Sequence, residues 1–290
     1  MKAADLALVG VVRALLAVIG ALPLAWIHSF AVGLAWLLSL VARRDVNLIR
    51  ANVHRIYHLP PASHFSRMFE RQVFRHHVVC ALETVRMVLD PKLIQVEGFE
   101  RLVDLVRSAE AAGKGHIFAT AHLGSWELCA YFAQKAASRP LSVLAKPPSR
   151  PALMEVLEAF RRRLGAKVLW TDRKTLVRDM LMALKSGEGL GFVMDQKPDG
   201  RRGPMVSFLG QPTPFVGGPA SMAARTQCAV MSIFCVREGA FRYRILAESL
   251  LLPSHGETDE QVITQRCARA IEDAIRAYPE QWTWNYKRWR

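Results

Sequence analysis

Negative charge and cysteine are both scarce in this chain. Its 290 residues carry 25 acidic against 39 basic side chains, a formal net charge of +14 at pH 7. The five cysteines are scattered and lack a C-x-x-C pair, which excludes a disulfide framework or a cysteine zinc site and indicates reduced thiols in the cytosol. The charge favours acidic partners: nucleic acid, anionic lipid headgroups or an acidic carrier protein.

Internal repeats, low-complexity linkers and charge blocks are also missing. With 51% hydrophobic residues the chain is expected to be globular, and 290 residues suffice for one large domain with an appendage. No RNP, helix-turn-helix or zinc-finger pattern occurs, which argues against nucleic acid as the partner.

The N-terminal region is unusually apolar. Residues 14–42 contain no formal charge, and a membrane-spanning helix needs roughly 20 apolar residues. Pro23 interrupts the run, so a tilted, kinked or partly interfacial helix also fits, as do a signal peptide and a buried core hairpin. Arginines at 43, 44 and 50 follow, and the positive-inside rule then places the downstream domain in the cytoplasm. We expect a membrane anchor over residues 1–44 and a catalytic domain over 45–290.

Beyond residue 113, short apolar runs alternate with helical patterns. This alternation predicts an α/β fold with a mixed, largely parallel sheet flanked by helices, and the last two strands are close enough for an antiparallel hairpin. Three helices are expected before this region, near 45–57, 63–87 and 100–112. The predicted strands lie near 116–121, 141–145, 167–170, 190–194, 229–236 and 242–247, and the helices near 125–137, 152–164, 174–186, 218–226 and 259–278.

A histidine and a glutamate mark the first of these strand ends, in "FATAHLGSWELC" at 118–129. His122 ends the apolar run, Ser125 is a plausible helix N-cap, and Glu127 then falls in the first turn of the helix. Ligands gather at the carboxyl ends of strands in open α/β sheets. A carboxylate on one ring nitrogen lets the other nitrogen act as a general base, so we expect Glu127 to hold the His122 imidazole. The alternative is a strand-end histidine beside a glutamate that only caps the helix.

A nucleophile is missing from this segment. Ser125 is not in a G-x-S-x-G elbow, and no cysteine adjoins His122. A base without a protein nucleophile suits activation of a substrate hydroxyl, which points to direct acyl transfer from a thioester to an alcohol. A metal site built on His116, His122 and Glu127 lacks any H-E-x-x-H pattern, so His116 is interpreted as a core histidine, and no metal or cofactor is expected.

Three further signals leave alternatives open. Asp195 ends another strand and is either a loop former or an active-site residue. Arg201 and Arg202 lie in a Gly/Pro-rich loop, as solvated charges or as phosphate contacts. The terminal "WTWNYKRWR" is expected to pack on the domain or lie at the membrane, in preference to binding nucleic acid.

Several segments resemble one known family. "HLGSWE" is similar to the H-x4-D/E block of the lysophospholipid acyltransferase superfamily, and more closely to the H-(F/L)-G-N-W-E form of the bacterial lipid A biosynthesis acyltransferases. "VEGFERL" at 96–102, the D-Q block within 184–226 and "YPEQWTWNYKRWR" at 278–290 are similar to further blocks of that family. Two departures occur: Ser125 stands where asparagine is frequent, and Asn285–Tyr286 where a histidine often lies.

The resemblance implies a glycerolipid acyltransferase-like fold at the inner membrane. It implies transfer of a fatty acyl chain from acyl carrier protein or acyl-CoA to a hydroxyl of a lipid A precursor, as part of lipopolysaccharide synthesis, with another glycolipid as the alternative acceptor. On this pattern His122 is the base and Glu127 its partner. Asp195 takes a structural or substrate-positioning role, and Arg161 or Arg163 falls at the family's basic position. A basic, non-enzymatic membrane or nucleic-acid binding protein is the competing hypothesis.

Overall fold

The computed structural model describes residues 3–61, 63–198, 203–252 and 256–289. The helices in order are α1 (Ala3–Ala21), α2 (Leu24–Val41), α3 (Arg43–Tyr57), α4 (His64–Leu89), α5 (Phe99–Ala111), α6 (Trp126–Ala136), α7 (Met154–Arg163), α8 (Leu176–Lys185), α9 (Gly218–Thr226) and α10 (Glu260–Ala277). The strands are β1 (Gln95–Glu97), β2 (His116–Thr120), β3 (Leu141–Ala145), β4 (Lys167–Trp170), β5 (Gly189–Val193), β6 (Met205–Phe208), β7 (Gln211–Pro214), β8 (Ala229–Gly239) and β9 (Arg242–Leu251).

Seven of these strands form one sheet in the order β1-β9-β8-β2-β5-β3-β4. All neighbouring pairs run parallel except β8 and β9, which form the predicted antiparallel hairpin. Every residue of β2 is buried, because helices cover both faces of the sheet, and such strands read as continuous apolar runs. The predicted mixed, largely parallel α/β fold is confirmed.

Helices pack on both faces of this sheet, and alternate residues of β2 point to opposite sides. Ile117 and Ala119 belong to a core shared with α8, α9 and α10. Phe118 belongs to a second core shared with α5 and α6. All five cysteines are buried and unpaired, as expected for reduced thiols.

Two pieces of sheet were not expected from the sequence. The strand β1 pairs with β9, but its three residues are too few to show the alternation of apolar and polar residues that predicts a strand. β6 and β7 form a separate antiparallel hairpin, and β7 contains Pro212 and Pro214. Because proline does not donate a ladder hydrogen bond, this segment looks like a loop in the sequence.

The N-terminal apolar run forms two helices instead of one, because Pro23 stands at the N-cap of α2 and ends α1. Ile27 and Ala31 of α2 are buried against α4, while Trp26 and Trp36 are each more than 60% exposed. By length and composition α2 is apolar enough to cross a membrane.

Candidate active site

His122 lies just past the carboxyl end of the central strand β2, between the sheet and the C-terminal segment. Its backbone carbonyl accepts hydrogen bonds from the Thr283 amide, at 3.1 Å, and from the Thr283 hydroxyl, at 2.9 Å. The next residue, Leu123, forms a β-bridge to Trp282. The side chain of His122 is 23% exposed, so the main chain is fixed while the ring remains accessible.

Asp195 is the carboxylate that holds the His122 ring. It follows β5, the parallel neighbour of β2, so the two residues meet at the same edge of the sheet. Its Oδ1 lies 2.8 Å from Nδ1 of His122, and its Oδ2 accepts the His122 backbone N–H at 3.1 Å. The indole N–H of Trp282 donates to the same Oδ2 at 2.8 Å. This buried carboxylate fixes a tautomer in which Nδ1 carries the proton and Nε2 has its lone pair free to accept one.

The electrostatics of this pair favour its ionised form. Burial lowers the pKa of His122, but the charge of Asp195 and its hydrogen bond outweigh burial and raise that pKa above its ordinary value. For Asp195, burial raises the pKa, while the charge of His122 and the hydrogen bonds from His122 and Trp282 lower it by more. A proton that reaches Nε2 is therefore stabilised on the imidazole.

Glu127 occupies the predicted place but has a different partner. Ser125 caps α6, accepting the Leu128 N–H at 3.4 Å, and Glu127 follows in the first turn. The carboxylate of Glu127 binds the guanidinium of Arg161 on α7, with N–O distances of 2.8 and 3.2 Å. The prediction that Glu127 hydrogen-bonds to the His122 ring is therefore wrong in the structure, where Asp195 takes that position. Glu127 still raises the pKa of His122 through its charge.

The other predicted site residues separate into three groups. Of the two arginine candidates, Arg161 reaches the site, while Arg163 is exposed and lines a neighbouring groove. Arg201 and Arg202 lie outside the described residues. Asp195 hydrogen-bonds to the ring and backbone of His122.

His116 is a core histidine, as interpreted from the sequence. Both of its ring nitrogens are buried without a hydrogen-bond partner, and the ring packs edge-on against Phe118 at 5.0 Å. Burial lowers its pKa to about 4, so it is neutral at pH 7. Across the part of the chain that the structure describes, no group of three histidine, cysteine or acidic side chains is arranged to hold a metal ion.

Sequence reasoning missed the contribution of the C-terminal segment to the site. Trp282 binds Asp195, Thr283 binds the His122 carbonyl, and His77 of α4 contacts the Thr283 hydroxyl at 3.2 Å. The terminal aromatic cluster packs on the domain, one of the two expected placements. In the sequence, the only sign of a role for this segment was its similarity to the closing block of a family. That similarity did not reveal the contacts with His122 and Asp195.

We expect Glu127 and Arg161 to act as one unit. Their side chains are only about 20% exposed, so removing either charge leaves its partner mostly buried and without a counter-charge. Glu127→Gln and Arg161→Gln should each lower kcat/KM by roughly tenfold, and the double variant should be no worse than either single one. Multiplicative effects in this double-mutant cycle would contradict a coupled pair.

Two apolar cavities begin beside this site, and both are lined by Trp126 and Glu127. One is a narrow cavity of about 50 Å³ between α6 and the sheet. It is walled by Phe118, Cys129, Ala130, Ala133, Leu141, Val143, Leu144, Gly191, Val193 and Ile233, among others. The second runs along α4.

These features place a hydrogen-bonded histidine beside apolar cavities. A His–Asp pair stands at the carboxyl edge of a largely parallel sheet. Within the described ranges, no serine or cysteine side chain hydrogen-bonds to the His122 ring. The model of the bacterial lipid A biosynthesis acyltransferase family matches residues 3–290, and the chain belongs to that family. The predicted acyltransferase class is thereby confirmed at the level of the family.

Two relatives carry the same glycolipid acyltransferase name. The chain is 27% identical over 189 residues to a phosphatidylinositol mannoside acyltransferase of Mycolicibacterium smegmatis, covering 64% of this chain and 60% of that protein. It is 25% identical over 254 residues to the protein of that name in Mycobacterium tuberculosis H37Rv, covering 83% and 76%. The match thus spans less than two thirds of the length of the first relative.

Proposed function

We propose that this protein transfers a fatty acyl chain from a thioester donor, acyl carrier protein or acyl-CoA, to a hydroxyl group of a polar membrane lipid. The observation that carries this proposal is His122, whose Nδ1 is held at 2.8 Å by the buried carboxylate of Asp195. None of the described residues hydrogen-bonds to its Nε2. A base prepared in this way, without a protein nucleophile, suits attack by a substrate hydroxyl.

The chemistry then takes two steps. Nε2 of His122 removes the proton of the acceptor hydroxyl as the oxygen attacks the thioester carbonyl, forming a tetrahedral intermediate. The intermediate collapses with cleavage of the carbon–sulfur bond, and the imidazolium returns its proton to the leaving thiolate. Asp195 stabilises the imidazolium between the two steps, as the raised pKa of His122 indicates.

The cavity between α6 and the sheet, about 50 Å³, suits the first carbons of the donor's acyl tail. Small residues, Ala130, Ala133 and Gly191, leave the space, and Phe118 and Ile233 supply apolar walls. Burial of each methylene group there gains about 0.8 kcal/mol. The cavity opens beside Trp126, which packs against the His122 ring at 5.2 Å, so a chain in it would present its carbonyl close to the base.

A lipid A precursor is the acceptor that we propose first. The family description supports it, and a phosphorylated saccharide lipid suits a chain with a net charge of +14. The alternative is another glycolipid or polar lipid. The names of the two mycobacterial relatives, both phosphatidylinositol mannoside acyltransferases, specifically favour that alternative.

The proposed location is the inner membrane, with the catalytic domain, residues 45–290, on the cytoplasmic side. The exposed apolar surface of α2 supports residues 1–44 as the anchor. Arg43, Arg44 and Arg50 follow the apolar run and support a cytoplasmic catalytic domain. Acyl carrier protein and acyl-CoA, both anionic donors, would meet a basic protein there.

The test is a lipid mass spectrum of cells that express this chain or its His122→Ala variant. We expect the native chain to add the mass of one acyl group to lipid A, and the variant to add none while accumulating in the membrane at the same level. Acylation of a different glycolipid with unchanged lipid A would decide for the alternative acceptor. Equal acylation by the His122→Ala variant would overturn the assigned base.

A further inference from the structure

The second apolar cavity adjoins a further cavity that reaches the first helix, and the two together outline a groove. Its inner section, about 190 Å³, begins at Ser125, Trp126 and Glu127, and its outer section, about 290 Å³, ends at α1. Val85 and Phe160 line both sections, so the two adjoin at these side chains. The remaining apolar wall consists of Ala81, Val88 and Leu89 of α4, Val156 and Ala159 of α7, and Leu16 and Ala17 of α1.

The groove is long and is left open by the packing of the helices. The α4 residues that line it run from His77 to Leu89, and at 1.5 Å per residue this stretch spans about 18 Å. The apolar face of α7, formed by Val156, Ala159 and Phe160, stands over this space, yet none of the residues of α7 is fully buried. α7 therefore covers the groove without filling it.

Charge and apolar surface at the outer end point to a membrane lipid. Arg13 and Arg163 line that end together with one acidic residue, Glu155. Arg13 lies on the groove side of α1, whereas Val11 and Leu15 on the opposite side are each more than half exposed. A helix with an arginine on one side and exposed apolar residues on the other suits the membrane interface. Its apolar side enters the lipid and its arginine contacts anionic headgroups.

We propose that this groove binds a fatty chain that the acceptor lipid already carries, and that Arg13 and Arg163 attract the anionic headgroups of that lipid class to its outer end. The proposal rests on the proposed function, because it assigns the groove to the acceptor and the narrow cavity beside α6 to the donor. An alkyl chain fits the part of the groove around Val85, Val88 and Phe160, where the lining is mostly apolar. The amide-bearing pantetheine arm of a donor would lose its hydrogen bonds to water there without replacement.

The experiment uses photolabelling, which needs no turnover. The full-length protein is placed in phosphatidylcholine–phosphatidylglycerol vesicles that contain phosphatidylglycerol with a diazirine in its fatty chain. We expect label on peptides of α4 and α7, and Ala159→Trp should reduce that label at least about fivefold by filling the groove. Ala111→Trp, at an exposed alanine of another helix, is the matched control and should leave the label unchanged.

Two further arms test the charge and the assignment to the acceptor. The double variant Arg13→Gln/Arg163→Gln should lower labelling by the anionic probe by roughly fivefold for each charge removed. Arg71→Gln, on α4 outside the groove, is the control and should leave the labelling unchanged. Excess palmitoyl-CoA should leave the label in place. Displacement by palmitoyl-CoA would overturn the proposal by giving the groove to the donor, as would labelling that Ala159→Trp does not change.

The outcome is independent of the proposed chemistry. The His122→Ala variant should label as well as the native chain, since binding in the groove does not require the base. If the protein acylates lipid but the probe does not label the groove, the groove assignment is overturned and the proposed function stands. Label in a protein that transfers no acyl group would support the groove while the proposed function failed.

Discussion

Asp195→Asn is expected to lower kcat by about 10³- to 10⁴-fold, the size of effect seen when the carboxylate that orients a catalytic histidine becomes an amide. Asp195 accepts three hydrogen bonds, from the ring and backbone of His122 and from Trp282. An asparagine keeps the volume but removes the charge that stabilises the imidazolium. It also permits the wrong ring tautomer, with Nε2 protonated and unable to take the hydroxyl proton.

The pH profile distinguishes this role from a structural one. Activity requires neutral His122, so in the native enzyme the rate rises with pH through a pKa that Asp195 holds above the ordinary value. In Asp195→Asn the raising charge is gone while burial still lowers the pKa. The acidic limb must therefore move to lower pH while the maximum rate falls.

Two variants serve as controls for that result. Trp282→Phe keeps the His–Asp pair and removes a single hydrogen bond, so its loss should be nearer tenfold. Glu127→Gln removes a weaker charge effect and should shift the acidic limb less than Asp195→Asn does. A native-like rate in correctly folded Asp195→Asn protein, or an acidic limb that does not move, would contradict the role assigned to Asp195.

Gly124→Ala is expected to destabilise the fold by about 4 kcal/mol, which corresponds to a drop in Tm of roughly 7 °C for a chain of 290 residues. Gly124 has φ of +59°, and an added Cβ would lie 2.2 Å from the carbonyl oxygen of Cys235. The same backbone is fixed on two sides: Gly124 N–H donates to Gln281, and Ser125 N–H donates to Cys235. Relief of the clash would therefore pull the active-site loop away from β8 or from the C-terminal segment.

Gly113→Ala is the matched control, because Gly113 also has a positive φ, +72°, but no atom lies within 4 Å of an added Cβ. It should cost only about 1 kcal/mol, the strain of the left-handed conformation by itself. Both variants are measured by thermal unfolding in the same detergent. The difference between their Tm values gives the cost of the clash with Cys235, separate from the strain of a positive φ. Equal losses of stability would show that the approach to Cys235 is not tight.

Both predictions concern the same feature, the packing of the C-terminal segment beneath the catalytic loop. Trp282 binds the carboxylate, Thr283 binds the His122 carbonyl, and Gln281 binds Gly124. Gln281 also exchanges two hydrogen bonds with the backbone of Arg237, whose guanidinium makes a bidentate pair with the buried Glu83. The position of the His122 imidazole is thus set jointly by β2, β5 and residues 281–283.

The local elements of the fold could be predicted from the order of residues alone. Apolar runs of strand length, separated by helical patterns, predicted the α/β sheet, and the approach of the last two strands predicted their hairpin. His122 was placed at a strand end, Ser125 at a helix cap and Glu127 in a first turn, because each of these features depends on residues only a few positions apart.

Which carboxylate meets the imidazole depends on how distant segments of the chain pack together. The sequence offered Glu127, five residues away, whereas the bond is made by Asp195, 73 residues away. Strand order is the physical reason: β5 lies beside β2 although β3 and β4 come between them in the chain, and no local pattern sets that order. Glu127 is in turn drawn to Arg161 of α7, and the terminal aromatic residues are buried under the site by long-range packing that spacing in the chain does not reveal.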